Sequence, residues 1–162
     1  MDDLRRRLRR LGVTTGRDFT PRPSPPPGGD IDELTDGETL QTAEGDCFRV
    51  TRRYAPETQH GASHLAEWLE QDPAALAGLA DDAALAGIAP EQFVFLDTET
   101  TGLGGGAFAF LVGVGFFNAG GEFEVQQFFL RDPAHEPALL ALLHEVLHPG
   151  AALVTFNGRT FD

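Results

Sequence analysis

From Gln92 onward the chain alternates between apolar runs and short polar breaks. The stretch "QFVFLD" is a brief continuous apolar run of the kind a buried strand requires. "AFAFLVGVGFFN" is a longer one, and "EFEVQQFFL" alternates in part, so both also predict strands. "AGG" between the last two reads as a tight turn. Asp132-Pro133 opens a helical pattern, "PAHEPALLALLHEVLH", that runs to His148 and stops at Pro149-Gly150. "ALVTF" then predicts a fourth strand. The short connections make the first three strands an antiparallel meander. The helix is long enough to return the fourth strand parallel to an earlier one, in a right-handed crossover.

The preceding residues have a different texture. "MDDLRRRLRRLG" predicts a short helix with Leu4, Leu8 and Leu11 on one face and Asp2 or Asp3 as cap. "TPRPSPPPGG" (Thr20–Gly29) is an extended, polyproline-type linker. "ETLQT" and "CFRVTRRY" read as short strands joined by the turn "AEGD". "GASHLAEWLEQ" places Leu65, Trp68 and Leu69 at helical spacing. "DPAALAGLADDAALAGI" predicts Ala-rich helix with Pro73 in its first turn, an interruption near Gly78 and a solvated break at Asp81-Asp82. The expected organisation is a basic helix plus linker (1–29), a small α+β region (30–90) and an α/β domain with a mixed sheet (91–162).

Charge narrows the function classes. The 162 residues carry a formal charge of −13, and 41% of them are hydrophobic, enough for a core. Residues 1–29 hold seven Arg against Asp2, Asp3 and Asp18, which leaves −17 for the remainder. A body this acidic offers no broad phosphate-binding face, because affinity for nucleic acid comes largely from basic groups. It is compatible with an enzyme whose site is acidic in order to hold metal. The single cysteine, Cys47, has no internal partner, which suits a reducing cytoplasm. No segment is apolar for long enough to span a membrane.

The chemistry concentrates where the first apolar run ends. In "FVFLDTETTGLGGG" (Phe93–Gly106) the strand meets Asp97 and Glu99, two apart and therefore on one side if the strand persists. At about 5 Å and an effective dielectric near 20, two such charges repel by roughly 3 kcal/mol. Solvent or a shared cation relieves that repulsion, and oxygen-only ligands favour Mg²⁺ or Mn²⁺ over zinc. By itself the pair reads better as an acidic turn cap at a strand end. The fourth strand runs into "LVTFNGRTFD" and so ends in the same way, at Asp162. A parallel return brings Asp162 toward Asp97 and Glu99, giving three carboxylates from two segments. Two metal ions about 3.5–4 Å apart need such a set.

"FLDTETTGL" with "TFNGRTFD" resembles the first two motifs of the DEDD 3′–5′ exonucleases, which have a ribonuclease H-like fold. Residues 93–162, including "AFAFLVGVGFF" and "QQFFLRDPAHEPALL", look more narrowly like the YprB-type ribonuclease H-like exonuclease domain. The resemblance implies catalytic and metal-binding roles for Asp97, Glu99 and Asp162. It implies contacts to the terminal nucleotide from Thr98 and Leu103, and a substrate site shaped by Asn157 and Phe161. It also implies two Mg²⁺ or Mn²⁺ ions, a partner in single-stranded nucleic-acid ends, and phosphodiester hydrolysis in the cytoplasm. Relatives carry a fourth carboxylate on a later helix, so the chain reads as C-terminally incomplete and weakly active or inactive, with one sheet face poorly covered. A non-catalytic nucleic-acid-binding or interaction module that keeps the fold is the alternative. An acidic protein-interaction domain is a third reading. The histidine pairs His60/His64 and His144/His148 lack the His-Glu-x-x-His pattern and read as solvent-facing.

Overall fold

The computed structural model describes residues 30–101 and 108–155, and those from Ile31 onward lie in one compact unit. The basic helix and linker expected over 1–29 fall outside the described residues. A short turn of helix, α1 (Ile31–Leu34), leads to β1 (Glu38–Thr42) and β2 (Gly45–Tyr54). A small hairpin follows, β3 (Gln59–His60) with β4 (Ser63–His64), and then α2 (Pro73–Ala80). β5 (Phe93–Thr100), β6 (Ala109–Phe117) and β7 (Phe123–Phe129) come next, then α3 (Glu136–Leu147) and β8 (Ala152–Thr155).

Six strands form one mixed sheet in the order β1-β2-β7-β6-β5-β8. β5, β6 and β7 are the expected antiparallel meander, and β8 returns parallel to β5 after α3. This is an α/β fold of the ribonuclease H-like kind. β2 pairs with β7 over seven residue pairs, Phe48↔Phe129 through Tyr54↔Phe123. The strands of the 30–90 stretch therefore extend the meander's own sheet. Arg131, just after β7, ties α1 and β1 to the same edge. Its guanidinium donates to Asp32 at 2.9 Å and to the Thr39 hydroxyl at 2.8 Å, and sits 5.4 Å over the Phe48 ring.

Alternation along the strands sorts side chains onto two faces. Val94, Val112, Val114, Phe128 and Cys47 lie on the face covered by α3, whose Leu139 and Leu143 join that core. Each buried leucine contributes about 1.5–3 kcal/mol relative to exposure. Asp132 caps the turn before α3 by accepting from Ala134 N–H at 2.9 Å. The same sheet face holds a buried carboxylate beyond the helix. Glu124 accepts from Arg53 Nε at 2.7 Å and from the Gln126 amide at 2.7 Å. The polar residues of "EFEVQQFFL" are thus buried at Glu124 and Gln126, and the alternation marks two packed faces.

Two helix expectations change. "GASHLAEWLEQ" forms the β4 strand and a single 3₁₀ turn, Leu65–Trp68. Tertiary contact overrides the periodicity: Trp68 meets Phe93 and Phe95 edge-to-face at 5.6 and 4.9 Å, and its indole N–H donates to Pro90 C=O at 2.8 Å. Helix α2 passes through Gly78 and stops at Asp81, which adopts a left-handed conformation with φ 54°. Asp82 then caps a new 3₁₀ turn, Ala83–Gly87.

Burial pushes the Glu124 pKa up, but its bonds to Arg53, Gln126 and Asn118 outweigh this and hold it below the usual carboxylate value. A depressed folded-state pKa stabilises the fold above the unfolded pKa, and that contribution is lost as pH falls through the folded value. Glu124→Gln is expected to cost about 1 kcal/mol at neutral pH, and the difference from the parent should shrink on acidification below pH ~4. Urea titrations across that range measure it. Gly115 supplies a steric test: a Cβ there would lie 2.8 Å from Phe123 Cζ, whereas one at Gly113 would meet nothing nearer than 3.9 Å. Gly115→Ala is expected to lose about 1–3 kcal/mol, with Gly113→Ala close to neutral in the same assay.

Candidate metal centre and nucleic-acid face

β5 continues as a strand to Thr100, so Asp97 and Glu99 do project to one side. Both are exposed. Solvent therefore screens their mutual repulsion well below the value for a half-buried pair. Among the described residues neither carboxylate meets a hydrogen-bond donor or a cation. Thr98, between them, projects to the opposite face. A register shift falls between Glu99 and Thr100, so the pairing with β6 becomes irregular just after the second carboxylate.

The antiparallel registers define rows across the carboxylate face. Asp97 stands opposite Gly113, which is opposite Gln127, which is opposite Val50. Gly113 leaves bare backbone beside Asp97. The neighbouring row, about 7 Å along the strands, is Phe95, Gly115, Val125 and Arg52. Beyond it lie Phe117, Phe123 and Tyr54. The rings of Phe95, Phe123 and Phe117 meet in series, 5.8 and 5.1 Å between centroids. With Trp68 and Tyr54 they line an open cleft of about 670 Å³. The sequence reading missed this cleft. Its signal was present in the aromatic residues at Phe95, Phe117 and Phe123, but only the pairing register shows that they share a face.

β8 enters beside the carboxylates. It pairs with β5 from Phe93↔Ala152 to Leu96↔Thr155, so Thr155 lies next to the residue before Asp97. Leu103, Asn157, Phe161 and Asp162 lie outside the described residues, as does Arg159. The described residues hold no group of three or more His, Cys, Asp or Glu placed to bind a metal ion. The structure thus brings Asp97 and Glu99 together as two oxygen donors on one face. That donor chemistry fits a hard divalent cation, with further ligands to come from elsewhere.

His144 and His148 are both exposed on α3, with ring centroids 5.6 Å apart, and His60 and His64 are exposed on the small hairpin. Burial pushes the Cys47 thiol up, with the Asp46 charge adding to it, so this thiol is a poor nucleophile. No described helix is long and apolar enough to cross a membrane.

Residues 94–162 match the model of a family described as the RNase_H superfamily. No curated protein matches the chain. The match begins inside β5 and takes in both carboxylates, the meander, α3 and β8. Over that stretch the chain is similar to a superfamily of nuclease-type domains that act on nucleic acid with divalent metals.

A cation that binds two carboxylates held together by the fold binds the native state more tightly than the unfolded chain, and so raises stability. Millimolar Mn²⁺ or Mg²⁺ is expected to raise the melting temperature by a few degrees, and Asp97→Asn should abolish the shift. An unchanged melting curve in the folded parent would argue against a preformed site.

Proposed function

We propose that the chain is a metal-dependent nuclease domain, 3′–5′ exonuclease-like, that hydrolyses phosphodiesters at single-stranded DNA or RNA ends. The observation that carries this reading is the pair of carboxylates on one sheet face, with no cation or donor among the described residues, inside a stretch that matches the RNase_H superfamily. Asp97 and Glu99 are the first two proposed ligands, and Asp162, later in the sequence than β8, is the proposed third. Two Mg²⁺ or Mn²⁺ ions, when bound, would neutralise phosphate charge and lower the pKa of an attacking water.

The chain's own residues do the rest. Asp97 and Glu99 repel a phosphate until their charge is neutralised, so substrate and metal bind with positive coupling. Leu103 and the backbone at Thr98, whose side chain faces away from the carboxylates, are proposed to contact the terminal nucleotide, and Asn157 and Phe161 to shape its site. The acidic body keeps phosphate contacts few, which makes binding weak and confines it to the region of the ligands. The narrower YprB-type identity and cytoplasmic location belong to the same proposal. The second reading is a non-catalytic nucleic-acid-binding or interaction module that retains the fold.

The decisive assay is release of mononucleotides from an end-labelled single strand. Slow release that requires Mn²⁺ or Mg²⁺ is expected, and Glu99→Gln should reduce it to background. Metal-assisted binding of the strand with no release at any metal concentration would overturn the nuclease reading and favour the binding module.

A further inference from the structure

We infer that the aromatic cleft beside the carboxylates is a nucleobase site, which seats a base of a single strand whose phosphodiester lies over the Asp97 row. This rests on the nuclease reading above and adds where the strand goes. Three features of one sheet face point to it.

The first is shape and chemistry. The cleft of about 670 Å³ is walled by Tyr54, Trp68, Phe95, Phe117 and Phe123. Aromatic walls offer flat, apolar contact to any base without demanding a sequence. Trp68 is held in place by its bond to Pro90 C=O, so little order must be gained on binding. The second is position. Phe95 precedes Asp97 by two residues on the same strand and face, about 7 Å away. Between cleft and carboxylates lie Gly115, covered by the Phe123 ring, and Gly113, which leaves the backbone open beside Asp97.

The third is charge. The described residues include four arginines. Arg49, Arg53 and Arg131 each meet a carboxylate: Glu38, Glu124 and Asp32. Arg52 instead reaches the Thr35 hydroxyl at 3.4 Å and remains exposed. It stands at the far end of the Phe95 row, two residues before Tyr54. A strand that places a base in the cleft thus has a cation for one phosphate at Arg52 and the metal ligands for another at Asp97. The carboxylate at the rim, Glu67, is turned onto the His64 N–H at 2.8 Å.

Trp68 is the only tryptophan in the chain, so its emission reports on the cleft directly. The experiment titrates the full chain with a thymidine decamer at low salt, with and without Mg²⁺. It follows Trp68 fluorescence and, separately, the anisotropy of a labelled decamer. Saturable quenching is expected, weakened roughly tenfold by Tyr54→Ala and several-fold by Arg52→Ala. An abasic strand of the same length should leave the emission unchanged. If the decamer binds by anisotropy while Trp68 does not respond, or if the abasic strand quenches equally, the base site is overturned and the nuclease reading stands. If neither readout shows binding in either condition, the nucleic-acid reading falls and the base site with it.

Discussion

The register of β5 between β6 and β8 is the constraint on which the rest depends. Its even positions, Val94 and Leu96, belong to the core under α3, and its odd positions run from Phe93 and Phe95 to Asp97 and Glu99. Side chains alternate with a period of two, so a slip of one residue would press the carboxylates against α3 and expose the valines. Burial of Val94, Val112, Val114 and Phe128 therefore sets the direction of two acidic side chains that pack against nothing described. The energy that fixes the site is hydrophobic, and it is paid on the opposite face of the sheet.

Most of the strand plan was legible because it depends on local pattern. The continuous apolar runs of β5 and β6, the turn at Asn118–Gly121 and the Pro-Gly stop after α3 each carry their own signal. The sharing of one sheet by β2 and β7 was not legible, since nothing in "CFRVTRRY" names its partner. The Trp68 region was misread for a related reason. Leu65, Trp68 and Leu69 have helical spacing, yet the indole gains more by packing on Phe93 and Phe95 than the segment gains from a helix. That Asp97 and Glu99 share one side of β5 was legible from their spacing of two. The neighbouring aromatic cleft was not, because its members come from five separate segments and only tertiary pairing unites them.

The buried polar pair on β7 has a similar origin. Glu124 and Gln126 are buried and would be costly without partners. Arg53 from β2 supplies the charge for Glu124, and this pairing is possible only because β2 joins the sheet at β7, opposite Glu124. The edge hairpin thereby satisfies a carboxylate that the meander alone would leave exposed to water or unpaired. It also carries Tyr54 and Arg52 to the other face, so one strand pairing serves the core on one side and the cleft on the other.

The acidity of the chain acquires a physical sense on this plan. A negative body repels nucleic acid everywhere except where the charge is locally offset. Three of the four described arginines are neutralised by carboxylates, which removes them as competing anchors. Among the described residues the sheet then offers phosphate one arginine beside one aromatic cleft, with a carboxylate pair that would attract phosphate only if it held metal. A long duplex gains little from such a surface, because its affinity scales with the number of phosphates contacted. On the proposed function, a flexible single-stranded end would place one base and two phosphates there with little deformation, and selection for ends would follow from how few attractive points the described face contains.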